Sequence, residues 1–148
     1  MAKFSFQLPD QFMEQLKRCA NIDEIVPKMI DEALPIVERA FIKNLEPHRD
    51  TGELIKNLKI LPAKKYKNGA WGGVVTAVGI AQGKYYIRKR ALGERKKEGF
   101  RNYQKLLALE YGTSRQRPTP VIDKTVRDAE KDVIDTMQGV FEREVSKT

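Results

Sequence analysis

Residues 22–45 read IDEIVPKMIDEALPIVERAFIKNL, and apolar side chains recur along this stretch at spacings of three and four. That spacing collects them on one face of an α-helix, and polar residues such as Asp31 and Glu32 fall on the opposite face. Pro27 and Pro35 interrupt the segment, and a proline inside a helix removes one backbone donor. Because the apolar pattern continues in phase past both prolines, we predict one bent helix. Its apolar face suits core packing, or alternatively a subunit interface.

A second long stripe of apolar residues runs from Val121 to Val145, and Thr119-Pro120 before it looks like a helix cap followed by proline at the first helical position. The other predicted elements are short apolar runs: a first helix near 9–20, an amphipathic segment at 51–58, strands at 58–61, 71–80 and 85–87, a polar turn at 64–69, and a short helix re-entering the core at 103–111. Strands grouped between helices favour an α+β fold. We predict a single domain, residues 1–148, with an antiparallel sheet of three to four strands packed against two long helices, plus short helices.

Charge is distributed unevenly along the chain, which has a formal net charge of +8. Residues 1–50 carry net −2, residues 51–117 carry +12 and residues 118–148 carry −2. The whole basic excess therefore lies in the middle third, which excludes a uniformly basic coat and implies one basic surface or loop.

The densest basic run lies between residues 88 and 101, with two glycines as breakers, and we interpret it as an exposed excursion. Its basic residues are Arg88, Lys89, Arg90, Arg95, Lys96, Lys97 and Arg101. Three interpretations remain open: a docking arm for an acidic protein surface, a nucleic-acid contact that uses the basic segment 84–105, or a solvated loop. Nearby aromatic residues such as Tyr85 and Tyr103 are suited to stacking on bases.

Chemical motifs give no support to an enzyme. The chain has one cysteine, Cys19, and one histidine, His48, so it lacks the residues for an internal disulfide, a Cys-based zinc site or a two-His metal site. His48 lies in a polar connector, where a solvated side chain is expected. No Gly-rich phosphate loop is present. We therefore predict no enzymatic activity, no cofactor and no metal.

Membrane association is not expected either. No apolar run approaches the roughly 18–20 residues of a membrane span. Residues 1–6 lack the apolar core of a signal peptide, so we expect synthesis and folding in the cytoplasm.

Two local signatures point to a family. Residues 50–54 read DTGEL and precede a short amphipathic stretch and a strand; residues 109–114 read LEYGTS and precede a proline-bearing loop and the last long helix. Together, in this order, they resemble the neck and tail-completion proteins of long-tailed bacteriophages, which are small head–tail joining or minor tail components. The matching positions are Thr51, Gly52, Leu54, Glu110, Tyr111, Gly112, Thr113, Pro118 and Pro120. Tyr111 stands where the family usually has Phe, and the basic excursion looks like an insertion.

Each matching residue has a physical rationale. Thr51 is expected to cap a short helix, Gly52 to allow close approach, and Leu54 to anchor that helix. Glu110 is expected to pair with backbone or with a basic partner, and Gly112 to permit a turn. The two prolines are expected to fix the loop and start the last helix.

The resemblance implies a structural role without catalysis. It predicts a phage or prophage virion protein at the head–tail junction or head-proximal tail, present in the host cytoplasm during assembly. Its partners would be other neck and tail proteins and further copies of itself in a homo-oligomeric ring, with DNA contact as an open alternative.

Overall fold

The computed structural model describes residues 22–81, 87–88, 95–96 and 101–147, and the predicted first helix, Cys19 and Tyr85 lie outside these ranges. The elements in chain order are α1 (Ile22–Leu45), a 3-10 turn (Glu46–His48), α2 (Glu53–Lys56), β1 (Leu58–Lys65), β2 (Trp71–Ala77), β3 (Ile87–Arg88), β4 (Arg95–Lys96), α3 (Asn102–Tyr111) and α4 (Val121–Val145). The α+β class predicted from the sequence is confirmed.

Helix α1 is the central element, and it runs without a break through both prolines. Pro35 is exposed, so its missing hydrogen bond lies on the side away from the core. Met29 and Phe41 are completely buried and Val37 is 1% exposed. Each buried side chain of this size stabilises the fold by about 1.5–3 kcal/mol relative to exposure. The expectation of a single helix over 22–45 is therefore confirmed.

One flank of α1 packs along α4, and the two helices run in opposite directions. Lys28 near the start of α1 contacts Glu144 near the end of α4, with 2.6 Å between Nζ and Oε2. At the other end, the amide nitrogen of buried Asn44 donates to Thr125 Oγ1 and to Asp128 Oδ2, both at 3.1 Å. Ionic and polar contacts thus fix the register at both ends of an apolar interface.

The opposite flank of α1 carries the hairpin formed by β1 and β2. Asp31 accepts a 2.7 Å hydrogen bond from the backbone N–H of Ala63. Asp23 accepts 2.8 Å bonds from Lys65 Nζ and a 3.1 Å bond from the indole N–H of Trp71. These donors lower the pKa of the Asp23 carboxyl group, Lys65 being the main cause. Carboxylates of α1 therefore orient the hairpin on the helix.

Close approach of β2 to α1 depends on a glycine. A Cβ at Gly73 would lie 2.7 Å from Leu34 Cδ1 and 2.8 Å from Ile30 Cγ2, so the helix side chains or the strand would have to shift to admit it. The absence of a side chain at Gly73 therefore lets the backbone of β2 lie close to α1.

Within the described residues, the main sheet has two strands, fewer than the predicted three to four. β1 and β2 form a two-stranded antiparallel sheet with an irregular register between Leu61 and Lys64, and β3 with β4 forms a separate two-residue ladder. Strand β1 continues to Lys65, beyond the predicted end at Leu61, and the turn is correspondingly shorter. Strand β2 ends at Ala77, three residues before the predicted end at Ile80. Ile80 itself forms an isolated β-bridge with Arg101.

Helix α3 is anchored to the end of β2 by a buried asparagine. Asn102 is completely buried, its backbone N–H donates to Gly79 O at 3.0 Å, and its side-chain amide donates to Val78 O at 2.8 Å. This anchor sets where α3 begins relative to the hairpin.

The ion pair between Lys28 of α1 and Glu144 of α4 should be sensitive to acid. Hydrogen bonds from Lys147 and Lys28 lower the pKa of Glu144 to about 2, and Glu144 in turn raises the pKa of Lys28. A carboxyl group with a depressed pKa in the folded state stabilises the fold above its unfolded pKa, and that stabilisation is lost as pH falls towards the folded value. Glu144→Gln should therefore be less stable than the parent near neutral pH, and the difference should close between pH about 4.5 and about 2.

Urea unfolding followed by circular dichroism across this pH range measures the difference. Glu130→Gln, at an exposed carboxylate of the same helix, is the control and should follow the parent. A deficit in Glu144→Gln that persists unchanged at pH 2 would contradict the assigned ion pairs.

Substitution of Gly73 should disturb the contact between α1 and β2. Gly73→Ala places a methyl group against Leu34 and Ile30, so we expect a loss of about 1–3 kcal/mol in the free energy of unfolding. The matched control is Gly139→Ala in α4, where an added Cβ meets nothing within 4 Å, and there we expect a gain of about 0.5–1 kcal/mol. If urea titrations give Gly73→Ala and the parent the same free energy of unfolding, the close packing is refuted.

Candidate functional site: the junction of the two signature turns

The first signature forms a tight turn into α2. Gly52 has φ of +74° and occupies the N-cap position, a conformation that favours glycine. Thr51 Oγ1 accepts a 3.3 Å bond from the backbone N–H of Glu53, one residue outside the position expected for a cap. Leu54 is partly buried and packs against the core, as expected of an anchor. The predicted capping position is therefore corrected from Thr51 to Gly52.

An ion pair joins this turn to α3. Lys105 Nζ lies 2.8 Å from Glu53 Oε2, and the two side chains are 23% and 14% exposed. Partial burial reduces screening by solvent, so this contact holds the turn more firmly than a fully exposed pair would. Glu53 lies inside the first signature, so the contact connects that signature directly to the helix that ends in the second.

The second signature supplies the N-terminal cap of α4. The carboxylate of Glu110 accepts bonds from the backbone N–H groups of Ile122, at 2.7 Å, and Asp123, at 3.2 Å. Helix α4 begins at Val121 with Pro120 at the N-cap position, and no cap side chain hydrogen-bonds there. An anionic group at this end also interacts favourably with the helix dipole.

Two predictions about this helix start are corrected. Thr119 is not the cap, and Pro120 precedes the first helical residue instead of occupying it. The cap comes from Glu110, which lies ten residues before Pro120 in the chain, so local sequence did not identify it. The expectation that Glu110 pairs with backbone is confirmed.

The turn after Glu110 is closed by Gly112, which has φ of +74°. A Cβ at this position would lie 2.8 Å from both Gln116 O and Pro118 N. Thr113 exchanges backbone bonds with Gln116, and Thr119 N–H donates to Leu109 O at 2.7 Å. The loop thus folds back onto α3, and the expected roles of Gly112 and Pro118 in shaping it agree with this geometry.

Tyr111 does not re-enter the core as predicted. Its side chain is 75% exposed, whereas Leu106 on the same helix is 1% exposed. Five residues at roughly 100° per residue turn Tyr111 about 140° away from the direction of Leu106. The helical period therefore contained the signal that Tyr111 faces outward.

A cleft of about 300 Å³ lies where these segments meet. Its lining includes Thr51, Gly52 and Glu53 of the first signature, Lys105 and Leu109 of α3, and also Gln116 and His48. His48 is exposed, as the sequence suggested. The described residues contain no group of three or more His, Cys, Asp or Glu placed to hold a metal ion. The Glu53–Lys105 pair joins α2 to α3 at this cleft, and the Glu110 cap joins α3 to α4; we call these two contacts together the brace.

The basic excursion is described only in small part. The backbones of Arg88 and Arg95 pair across the β3–β4 ladder, which also pairs Ile87 with Lys96. Lys89, Arg90 and Lys97 lie outside the described residues. Arg101 is exposed at the start of α3, and its backbone N–H donates to Gln104 Oε1 at 3.0 Å. The role of this segment in docking or in nucleic-acid contact stays a prediction.

A second group of exposed basic residues, not predicted from the sequence, lies on β1 and the turn after it. Lys59, Lys64 and Lys67 are all exposed. The available signal was the absence of any Asp or Glu from residue 54 to residue 93. The excursion carries +5 of the +12 in residues 51–117, and our interpretation gave the docking role to it alone, so the lysines of this hairpin received no separate role.

Comparison of the chain with models of known protein families, with curated proteins and with solved structures finds no match in any of the three. None of the helices in the described ranges has the length and apolarity needed to cross a membrane.

Removal of the Glu110 cap should destabilise the start of α4. Glu110→Ala leaves the N–H groups of Ile122 and Asp123 without their partner, so we expect a loss of about 0.5–2 kcal/mol in the free energy of unfolding. Hydrogen exchange should show the faster exchange concentrated in the first turn of α4. Glu130→Ala, an exposed change on that helix, is the control; if both variants lose the same stability, Glu110 is not the cap.

Proposed function

We propose that the chain is a structural protein of a tailed phage or prophage particle, located at the head–tail junction or the head-proximal end of the tail. It acts in tail completion and head–tail joining through assembly into a ring, with neck and tail proteins of the particle as partners. The observation that carries the proposal is that the two signature segments form one physical unit. The Glu53–Lys105 ion pair and the Glu110 cap connect them through α3.

The arrangement suits a joining subunit for a physical reason. Such a subunit has to hold its own shape while it offers surfaces on more than one side to neighbouring proteins. The α1–α4 pair provides a packed body, and the brace fixes the connections between α2, α3 and α4 against it. Tyr111 is exposed at the end of α3, directly before the closed Gly112 turn. A rigidly held, exposed aromatic residue is typical of the anchors that dominate protein–protein interfaces.

Deletion of the gene in an inducible lysogen tests the proposal. We expect induced lysates to contain separate heads and tails, or tails that are incorrectly completed, with a loss of infectious particles. A plasmid copy of the parent gene should restore joined particles. Electron microscopy and plaque counts give the measurements, and normal infectious tailed particles without the gene would refute the proposal.

Complementation with Tyr111→Ser separates a contact role from a folding role. Because the side chain is 75% exposed, the variant should unfold like the parent yet restore fewer joined particles. Glu130→Ser, also at an exposed helical position, should complement fully.

A further inference from the structure

Three lysines of β1 and of the turn after it are exposed, and we call them together the lysine edge: Lys59, Lys64 and Lys67. Within the described part of the chain, none of them makes a salt bridge. Lys65 differs, since it pairs with Asp23 at 2.8 Å and lies 5.7 Å from the centre of the Trp71 ring. The lysine edge therefore presents like charges without an acidic neighbour from its own strand or turn.

Helix α4 carries the opposite charge in a regular pattern. Asp128, Asp132, Asp135 and Glu142 recur at spacings of four, three and seven, and all are exposed. At roughly 100° per residue they fall within an arc of about 80°, so they form one line along the helix, the acidic stripe. Glu130 is exposed too, but it lies about 160° around the helix from Asp128.

A glycine occupies the middle of the acidic stripe. Gly139 is exposed and helical, and a Cβ there would meet nothing within 4 Å. Glycine inside a helix costs about 0.5–1 kcal/mol relative to alanine. Packing within the described subunit gives no reason for that cost, whereas an uncovered stretch of backbone allows another surface to approach closely.

The two charged surfaces belong to different layers of the molecule. The α1 helix lies between them, since it contacts α4 through Lys28 and Asn44 and the hairpin through Asp23 and Asp31. A surface that pairs with a copy of itself would bring like charges together, which is unfavourable. Opposite charges on separate layers instead favour a head-to-tail contact, which repeats from copy to copy and can close into a ring.

We propose that the acidic stripe of one copy of this chain docks on the lysine edge of the next copy. This contact would be the interface that repeats around the proposed ring, so the inference rests on the proposed function. Gly139 allows the neighbour's hairpin to approach the backbone of α4, and the lysines pair with the carboxylates on either side of it.

Charge reversal tests the interface in the full-length protein. Asp132→Lys with Asp135→Lys reverses the two middle charges of the stripe, whose sum changes from −4 to 0, and Lys59→Glu with Lys64→Glu changes the sum of the edge from +3 to −1. Each pair of changes should weaken self-association about tenfold or more, measured by sedimentation velocity at low salt up to millimolar concentration. A mixture of the two variants should associate again, because every contact in an alternating assembly then joins opposite charges.

Matched controls keep the test specific. Glu130→Lys changes the charge of α4 off the stripe, and Lys43→Glu changes an exposed lysine of α1; both should associate like the parent. Gly139→Gln should be at least as thermally stable as the parent and yet associate less. Added salt should weaken association of the parent.

Any of four results would contradict the proposed interface. The parent chain stays monomeric at every concentration, its association strengthens with salt, the charge-reversed variants associate like the parent, or the mixture of the two variants does not associate. Loss of binding to a fluorescent DNA duplex in the lysine-edge variant, with self-association unchanged, would identify a nucleic-acid surface instead. Failure of the function is distinguishable from failure of the interface. Normal particles after gene deletion would refute the phage role alone, and unaffected association of the reversed variants would refute the interface alone.

Discussion

Burial of helix α1 on two flanks at once is the constraint on which the rest of this structure depends. One flank meets α4 and the other meets the β1–β2 hairpin, so Met29 and Phe41 have no exposed surface. A helix in this position has little freedom to shift without disturbing both neighbours. Polar contacts then specify the register on each side, through Lys28 and Asn44 towards α4 and through Asp31 towards the hairpin.

The long elements of the fold were predictable because their signal is local and periodic. The stripes of α1 and α4 span many turns, and the interruption by Pro35 falls on an exposed position where it does little damage. The sheet was less predictable. Pro62 lies in the irregular part of the register of β1, and a proline in such a position made the strand appear to end early.

At the junction of the signature turns, the sequence identified residues with structural roles, but it did not identify all of the contacts that these residues make. Gly112 was expected at a turn, and its positive φ agrees. The cap of α4 was predicted at Thr119 because capping rules consider neighbours in sequence. The residue that caps α4 is Glu110, which belongs to another helix, α3. Tyr111 was assigned to the core together with the rest of the predicted helix over 103–111, although its position on the helix directs it to solvent. A tertiary contact decided the cap of α4, whereas the period of α3 already directed Tyr111 outward.

We propose that copies of this chain occupy the joint between head and tail of a phage particle. Electron microscopy of purified particles from an induced lysogen, labelled with gold-conjugated antibody against the chain, measures this directly. The account predicts label concentrated at one place on each particle, at the head–tail junction or the head-proximal end of the tail. Particles that carry no label, or label spread over the head surface, would contradict it.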